Sequence, residues 1–439
     1  FGSAGSRQKF TYSCWIKIAL IENADGYALL SVYNDTQDDT GYFHVHITNG
    51  NLHIGGYNTN WRTGGIEFRD PSAWYNIIIA VDTTQGTANN RVRVYVNNQE
   101  ITTLYSGIGN MSQNANTPVG DACSHFIGRM QGVAGSQKSD GYMAECNMIN
   151  NQQLTPSSFG EVKNGVWIPI DTSGLTFGTN GFRFKFDQVG VGTASSSTIG
   201  ADSSGNNNHF TSNNIVASDC AMPDSPENNF ATLNPLDTVN SPTFSNGNLQ
   251  FARSSNYAVA TGSMAMSTGK WYWEVYCKTV TTSGENSSFG ISRVPAQSIG
   301  NNYLGYNSDG NDWALLLDDS AADIFYSNSQ SVTDSNVNGA DGDIFNFALD
   351  ADTGELWFGR NNTWFASGDP AGGTGEIFTA SVGTDGVYYV IVSLLGNDLI
   401  FFNFGQDSSF AGNETAGGNA DGNGIGDFAY APPSGFLSL

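Results

Sequence analysis

The sequence predicts an all-β protein built from two β-sandwiches in tandem, and three observations support this prediction. Apolar side chains alternate with polar ones at a period of two residues in many short segments, as expected of half-buried strands. Corners rich in Asn and Gly separate these segments, and the chain contains 53 Gly. A chain of 439 residues also exceeds one typical domain, and no segment shows convincing helical periodicity.

Composition and charge argue against several classes of function. The chain has 17 basic and 41 acidic residues, so its formal net charge is −24. Such a surface repels a nucleic-acid backbone and lacks the basic cluster that an anionic membrane selects. No apolar run approaches the ~20 residues that a membrane-spanning helix needs. We therefore expect neither nucleic-acid binding nor membrane insertion.

The chain begins at Phe1 without a signal-peptide pattern, so we expect it to be the ordered or processed part of a longer polypeptide. Its five Cys form no CxxC pair. Cys14 and Cys146 lie among apolar residues on predicted strands and are interpreted as small buried hydrophobes. A Cys14–Cys146 disulfide is the alternative, and it requires Cα atoms within ~7 Å.

Residues 1–160 are predicted to form the first sandwich. Its first strand alternates Phe10, Tyr12, Cys14 and Ile16 with Thr11, Ser13, Trp15 and Lys17. Further strands are predicted at 27–32, 42–47, 51–54, 74–82, 91–96, 125–128 and 142–149. Asn49-Gly50 is a strong signal for a two-residue hairpin turn.

Several of these segments resemble the laminin-G-like, or concanavalin A-like, jelly roll. They are Phe10-Thr-Tyr-Ser-Cys-Trp-Ile-Lys17, Trp74-Tyr-Asn-Ile-Ile-Ile-Ala-Val-Asp82, Val92-Arg-Val-Tyr-Val-Asn-Asn98 and Gly141-Tyr-Met-Ala-Glu145. The resemblance implies a jelly roll over residues 1–160.

Residues 161–239 are predicted to be an irregular connector with short strands and loops. Gly181–Phe186 is a predicted strand, and residues 190–208 are rich in Gly, Ser and Asn. Just before the connector, Thr155 and Pro156 are predicted to open one helical turn. Residues 412–439 are a separate Gly-rich C-terminal segment.

The second sandwich is predicted around residues 342–364. Phe345, Phe347 and Leu349 recur every second residue, which predicts a strand with one buried face. Ala351–Gly354 then form a turn, Glu355–Arg360 return as a strand, and Asn361-Asn362 make a second turn.

This stretch and its flanks resemble the SPRY domain, a β-sandwich interaction module. The flanking matches are Gly269-Lys-Trp-Tyr-Trp-Glu274, Phe289-Gly-Ile-Ser-Arg293, Tyr388–Leu395 and Ile400-Phe-Phe-Asn-Phe-Gly405. They fall in the order that the family has, over residues 240–411. The resemblance implies a SPRY-like β-sandwich in which loops at one rim contact the ligand.

The whole chain resembles a group of virion proteins of marine bacteriophages, in which a laminin-G-like unit precedes a SPRY-like unit. The connector motifs that carry the resemblance include Asp202-Ser-Ser-Gly-Asn-Asn-Asn208 and Asp224-Ser-Pro-Glu-Asn-Asn-Phe230. It implies a tail-fibre or head-fibre component on the particle surface, outside the cell. Its expected partners are other virion proteins and a host glycan or protein, and we expect a homotrimer.

A histidine cluster is a candidate metal site. If Asn49-Gly50 is a two-residue turn, His46 lies opposite His53, and His44 shares their face of the sheet. Three neighbouring imidazoles suit a divalent transition metal. A solvent-facing polar row and an intersubunit contact are the alternatives.

No cofactor is predicted, although calcium is possible. Asn34–Asp39 concentrates oxygen ligands, including Asp35, Asp38 and Asp39. Asn419–Gly424 imitates half of an EF-hand loop, but Tyr430 stands where that loop needs Glu. Solvated turn carboxylates are the alternative.

Aromatic side chains in Asn-rich loops suit sugar binding, because flat rings stack on pyranose C–H groups while amides and carboxylates bind hydroxyls. Packing in the core is the alternative for each ring. The candidate ligand-binding residues are Tyr57, Asn58, Trp61 and Arg62 in the first domain and Tyr303, Tyr306, Asp312 and Trp313 in the second.

Catalysis is not expected. The chain has no Gly-x-Ser-x-Gly, no His-Glu-x-x-His and no phosphate-binding Gly loop. Glu274 and Glu285 are the closest pair of Glu residues in the sequence. Passive recognition of a host surface is therefore the favoured function. A capsid decoration or cementing protein is the first alternative, and a glycan depolymerase is the second.

Overall fold

The computed structural model describes the chain except residues 21–25, 104–109, 132–137, 254–255, 281–286, 307–309, 318–323, 328–329, 334–338 and 381–385. It contains two compact units, Phe1–Ala221 with Ser225–Glu227, and Met222–Asp224 with Asn228–Leu439. Most of the predicted connector therefore belongs to the first unit, and residues 228–239 belong to the second.

The described residues of the first unit form thirteen strands. They are β1 (Lys9–Ile18), β2 (Tyr27–Tyr33), β3 (Tyr42–Thr48), β4 (Asn51–Gly55), β5 (Asn60–Glu67), β6 (Trp74–Asp82), β7 (Val92–Val96), β8 (Gln99–Glu100), β9 (Ser124–Ile127), β10 (Gly141–Asn150), β11 (Gly160–Lys163), β12 (Val166–Pro169) and β13 (Phe182–Phe184).

Two antiparallel sheets form a sandwich in this unit. One has the order β13-β10-β1-β6-β7-β8 and the other β5-β4-β3-β2-β9, while β11 and β12 form a hairpin. The core joins apolar side chains of both sheets, such as Phe10 and Ile79 with Phe43 and Ile54. The period-two alternation placed these side chains on one face of each strand, and the all-β prediction is confirmed.

Residues of the predicted connector complete this sandwich. β13 pairs with β10, so that Phe184 lies beside Cys146. Phe159 and Phe177 pack with Ile78 and Ile149 in a separate apolar cluster. A short 3₁₀ helix, Pro156–Ser158, follows Thr155 as predicted.

The hairpin register predicted from Asn49-Gly50 is confirmed. Both residues have positive φ, 48° and 71°, as a two-residue hairpin turn requires. Thr48 pairs with Asn51 and His46 with His53.

All five cysteines lie in the described part of the chain, and no disulfide bond joins any two of them. Cys14 and Cys146 lie on the neighbouring strands β1 and β10 and are fully buried among apolar residues. This arrangement agrees with their interpretation as small hydrophobes.

In the second unit, the described part of the chain forms sixteen strands and one four-residue α-helix, α1 (Ala296–Ile299). The strands are β14 (Leu233–Val239), β15 (Thr243–Ser245), β16 (Gln250–Ala252), β17 (Ala258–Met266), β18 (Lys270–Thr279), β19 (Ser287–Ser292), β20 (Asp312–Leu317), β21 (Ile324–Ser327), β22 (Gln330–Thr333), β23 (Ile344–Asp350), β24 (Glu355–Arg360), β25 (Thr363–Trp364), β26 (Phe378–Thr379), β27 (Tyr388–Leu394), β28 (Leu399–Asn403) and β29 (Leu437–Ser438).

These strands also form two packed sheets. The order in one is β14-β17-β27-β19-β20-β21-β22, and in the other β15-β16-β28-β18-β23-β24-β25, with β26 on β24 and β29 on β18. Phe289 and Val390 of the first sheet share one core with Trp273 and Phe347 of the second. No helix among the described residues is long and apolar enough to cross a membrane.

The strand β23 is buried on both faces, whereas the sequence predicts one buried face. The reason lies in the C-terminal segment. Phe428 and Phe436 pack against Tyr272, Ala348 and Trp357 on the outer face of the second sheet. β29 also pairs in parallel with β18. The Gly-rich C-terminal residues are thus a covering layer of the second unit.

Gly290 provides a test of how closely the strands of the first of these sheets approach each other. A Cβ at Gly290 would lie 2.7 Å from the Cα of Ala314 and against the carbonyl oxygen of Trp313. We expect Gly290→Ala to lower the free energy of unfolding by about 3 kcal/mol, because the backbone of β20 must move. Urea denaturation followed by tryptophan fluorescence measures this change.

Gly262→Ala is the matched control, since a Cβ there meets its nearest neighbour, Cβ of Val390, at 3.4 Å. We expect that variant to lose less than about 1 kcal/mol. Equal losses in the two variants would contradict the close approach at Gly290.

Candidate functional site

The candidate residues Trp61 and Arg62 lie in the core of the first unit. Trp61 is 4% exposed, and its ring lies 5.9 Å from that of Phe43. The Arg62 guanidinium donates hydrogen bonds to the carbonyl oxygens of Val92 at 3.1 Å and Trp61 at 2.8 Å, and to Asn110 Oδ1 at 2.8 Å. Burial lowers the pKa of Arg62. Both side chains therefore stabilise the sandwich, which corrects their prediction as ligand-binding residues.

Asp312 and Trp313 are also buried, at 1% and 6% exposure. The Asp312 carboxylate accepts a hydrogen bond from the backbone N–H of Gly305. The Trp313 ring lies 6.1 Å from that of Tyr388, and Arg293 lies over it at 5.8 Å. Asp312 thus positions the loop that contains Gly305, and Trp313 packs against its neighbours. Neither side chain offers a surface to a ligand, which corrects their prediction as ligand-binding residues.

Tyr57 and Asn58 lie on a surface loop of the first unit, and Asn58 is exposed. The Tyr57 hydroxyl donates to Gln37 Oε1 at 3.2 Å, and its backbone N–H donates to Asp39 Oδ1 at 3.1 Å. These two hydrogen bonds connect the loop to the Asp-rich segment 34–41. These two residues remain accessible candidates.

Tyr303 and Tyr306 lie on the surface of the second unit, where the structure adds Tyr257 to them. Their ring centroids are 5.1 Å apart, and the Tyr257 ring lies 6.1 Å from Tyr303. Tyr306 is 50% exposed. We call these three residues the tyrosine rim. Tyr257 was missed because it lies far from the other two in sequence, next to a strand that carries no loop signal of its own.

Buried groups hold the loop that carries the tyrosine rim. Leu304 is fully buried with Ile299 and Ala314 in an apolar cluster. Its backbone N–H donates to Ser288 Oγ at 3.0 Å. Ser393 Oγ donates to the carbonyl oxygen of Asn302 at 2.8 Å. Two buried residues, Leu304 and Gly305, thus lie between the surface residues Tyr303 and Tyr306. Residues 307–309 of the predicted ligand segment lie outside the described part of the chain.

The three predicted metal-ligating histidines share one face of the sheet, as expected. The His46 and His53 rings stack at 4.8 Å with 9° between their planes, and His44 lies 4.9 Å from His46. The lone pair of an imidazole nitrogen lies in the plane of its ring. Because the His46 and His53 rings are nearly parallel, their lone pairs lie in separate parallel planes and do not converge on one ion. Among the described residues, no group of three His, Cys, Asp or Glu side chains is placed to hold a metal ion.

The histidine face is buried at His44 and half-buried at His46 and His53. His44 is 6% exposed, and among the described residues no hydrogen bond of normal geometry reaches its ring nitrogens, His46 Nδ1 or the Tyr42 hydroxyl. Burial, reinforced by the charge of His53, lowers the pKa of His44 to about 4. Burial lowers the pKa of His46 to about 3, with His44 and His53 contributing. These imidazoles are therefore neutral at pH 7.

The candidate calcium ligands have partners within the chain. Asp38 Oδ1 accepts from the Thr40 backbone N–H at 2.8 Å and from its hydroxyl at 2.7 Å. Asp421 Oδ1 accepts from the backbone N–H groups of Asn423 and Ile425 at 2.8 and 3.1 Å. Both carboxylates close turns in the way Asp commonly does.

Glu274 forms a buried polar network that the sequence did not reveal. Its Oε1 accepts from the Tyr272 hydroxyl and the Tyr430 N–H, both at 2.9 Å. Its Oε2 accepts from Asn403 Nδ2 at 3.1 Å and the Ala429 N–H at 2.9 Å. Burial raises the pKa of Glu274 to about 7, although these donors oppose the shift. Glu274 thus attaches the C-terminal segment to β18.

A comparison with known protein families identifies a part of the second unit. Both units are all-β, and residues 270–407 match the SPRY domain family, so the second unit contains a SPRY domain. SPRY domains are generally non-catalytic modules of protein–protein interaction. A comparison with curated proteins finds no match.

Solved structures with similarity to this chain include two SPRY-type domains. The SPRY domain of human HERC1 is 16% identical over 40% of this chain and 97% of its own, with a TM-score of 0.31. The PSpry domain of TRIM65 is 13% identical over 39% of this chain and 91% of its own, with a TM-score of 0.29. Stonustoxin is 16% identical over 40% of this chain and 28% of its own, with a TM-score of 0.29.

Proposed function

We propose that the protein is a non-catalytic recognition protein on the surface of a bacteriophage particle, a tail-fibre or head-fibre component that binds a host glycan or receptor. The observation that carries the recognition role is the SPRY domain at residues 270–407. The assignment to a virion is carried by the order of motifs along the whole chain, from the jelly-roll segments to the SPRY segments.

The accessible candidate residues support recognition by loops. Tyr57 and Asn58 in the first unit and the tyrosine rim in the second are surface side chains on loops, and buried residues hold the loop of the rim. Aromatic rings with neighbouring amides suit a polar ligand. Repeated copies of the chain on one particle would convert weak single sites into strong attachment.

Glu274, the buried residue whose pKa is raised, has a structural role and not a catalytic one in this proposal. A perturbed carboxyl in a cleft would be a candidate acid. Glu274 is fully buried, and both of its oxygens are occupied by groups of its own unit. It is therefore an anchor for the chain and has no room for a substrate.

Two measurements test the proposed function. The purified, fluorescently labelled full chain is expected to bind host cells, and antibodies against it are expected to label fibres of the phage particle in immunogold electron microscopy. Labelling of the capsid faces without cell binding would instead favour a decoration protein. Release of new reducing ends from host polysaccharide would favour a depolymerase, and particles without label would overturn the virion assignment.

A further inference from the structure

We propose that the tyrosine rim, together with the amides of Asn240 and Asn301, binds uncharged pyranose units of a surface polysaccharide. The inference rests on the proposed recognition function and specifies its site and ligand class. Three segments distant in sequence meet here: the residue after β14, the residue before β17 and the loop after α1.

Hydrogen bonds join these three segments. Asn240 Nδ2 donates to the carbonyl oxygen of Tyr257 at 2.7 Å and to Asn301 Oδ1 at 2.8 Å. Asn240 and Asn301 are both exposed, so their amides border the rings at the surface. Hydrogen bonds already hold the backbone of Leu304 and Gly305 between the two tyrosines, so ligand binding would not have to order these residues.

The ring geometry suits sugars. The Tyr257 and Tyr303 planes are inclined by 59°, and the Tyr303 and Tyr306 planes by 79°. The rings therefore form a stepped surface of separate apolar faces. Each face can cover one pyranose C–H face, while phenol and amide groups take the hydroxyls at its edge.

The charge of the site favours an uncharged ligand. The residues named in the rim are Tyr and Asn, whereas the chain as a whole carries a net charge of −24. An acidic glycan would be repelled by that overall charge, and none of the five residues named here is a cation; the neighbouring Arg253 donates to the Ser241 carbonyl oxygen at 3.1 Å. A neutral polysaccharide meets neither obstacle.

The tyrosine rim lies over a paired part of the sheet. β17 has β14 and β27 as its two neighbours, and the rim loop packs over Val259, Ala314 and Ile391. A ligand on the rings therefore meets side chains, whereas a peptide that added a strand would have to pair with β14, the terminal strand in the described order of this sheet.

Saturation-transfer difference NMR on the full chain tests this inference. The probes are the methyl pyranosides of glucose, galactose, mannose and N-acetylglucosamine at millimolar concentration. We expect transfer to the C–H protons of at least one sugar, with a Kd near 1 mM, which corresponds to about −4 kcal/mol. The double variant Tyr303→Ala/Tyr306→Ala should weaken binding at least about tenfold, because it removes two stacking faces.

The conservative variant Tyr303→Phe/Tyr306→Phe keeps both faces and is expected to retain binding within about threefold, which separates stacking from a folding defect. Tyr306→Ala alone removes a half-exposed ring and provides a second variant that should fold normally. No transfer to any of the four sugars, or transfer that the Ala variants leave unchanged, would overturn the inference.

The cell-binding assay distinguishes this failure from failure of the proposed function. If the Ala variants still bind host cells and no sugar shows transfer, the rim inference is wrong and recognition lies elsewhere on the chain. If the Ala variants lose cell binding without any transfer from a sugar, the rim binds a protein instead, and the glycan inference is overturned.

Discussion

Glu274→Gln is expected to lower the free energy of unfolding of the second unit by about 3 kcal/mol, because an amide cannot accept at both former oxygen positions. Each oxygen of Glu274 accepts one backbone N–H, from Tyr430 or from Ala429. Whichever position the new NH₂ group takes, it meets a buried donor and leaves that donor without an acceptor.

The loss should be largest where the C-terminal segment is attached. Hydrogen exchange measured by mass spectrometry at pH 8 is expected to show reduced protection in peptides that cover residues 425–431, and urea denaturation should give the change in free energy. Two further contacts hold this segment: Asn403 of β28 donates to the Asp427 carbonyl oxygen at 2.8 Å, and the Phe428 ring lies 5.1 Å from that of Tyr272.

Glu355→Gln is the matched control in the same unit. Glu355 lies on β24 and accepts a hydrogen bond from the Thr353 hydroxyl at the surface. Its variant should change stability by less than about 0.5 kcal/mol. If Glu274→Gln keeps full protection at residues 425–431, the other contacts of the segment are sufficient to hold it, and the anchoring role of Glu274 is wrong.

Acid is expected to weaken the hairpin of β3 and β4, and His44 should account for about 2 kcal/mol of that loss at pH 5. The folded-state pKa of His44, about 4, lies below its ordinary value of 6.5. As the pH falls, the opened chain therefore binds the proton first. The stabilising contribution is complete above pH 6.5 and is lost as the pH falls toward 4.

The surroundings of His44 explain why it stays neutral. The described groups that face it are Tyr42, His46, His53, Gly55 and Asn60, and none of them is a carboxylate. A Cβ at Gly55 would lie 2.9 Å from His44 Cε1, so the ring fills the space beside that glycine. A proton on this ring would place an uncompensated charge next to two further imidazoles.

Hydrogen exchange of residues 42–55 at pH 7.5 and pH 5, corrected for intrinsic rates, measures the effect in the full chain. In the wild type, we expect protection at pH 5 to be at least about 30-fold lower than at pH 7.5. In His44→Phe, we expect the factor by which protection falls to be about 30 times smaller than in the wild type. Glu274 has the opposite pH dependence, since its pKa is raised, but it lies in the second unit and does not enter these peptides.

Tyr42→Phe is the matched control. It changes the neighbouring ring, which lies 5.4 Å from His44, and removes an unpaired hydroxyl without removing a group that titrates in acid. Its pH dependence should equal that of the wild type. The same fall in protection in His44→Phe and the wild type would show that His44 is not the group responsible.

Much of the fold could be predicted because the relevant information is local. The alternation of Phe345, Phe347 and Leu349 is a property of one strand, and Asn49-Gly50 fixes one hairpin through backbone conformation. For this reason the strands, the His46–His53 pair and the SPRY segment were found from sequence. The same reasoning could not tell Trp61 or Trp313 from a surface ring, because both lie next to polar loop residues.

By itself, the sequence determined that this is an all-β protein, where its chain turns, and which side chains share a face of each strand. The tertiary structure alone decided which of those faces are covered. Residues 428–436 cover the outer face of β23. Burial of Leu304 and the hydrogen bond from Gly305 to Asp312 hold one loop against the second unit, and Tyr303 and Tyr306 of that loop lie at the surface. The physical reason is that burial depends on contacts between segments far apart in the chain, while strand periodicity records only the direction in which each side chain points.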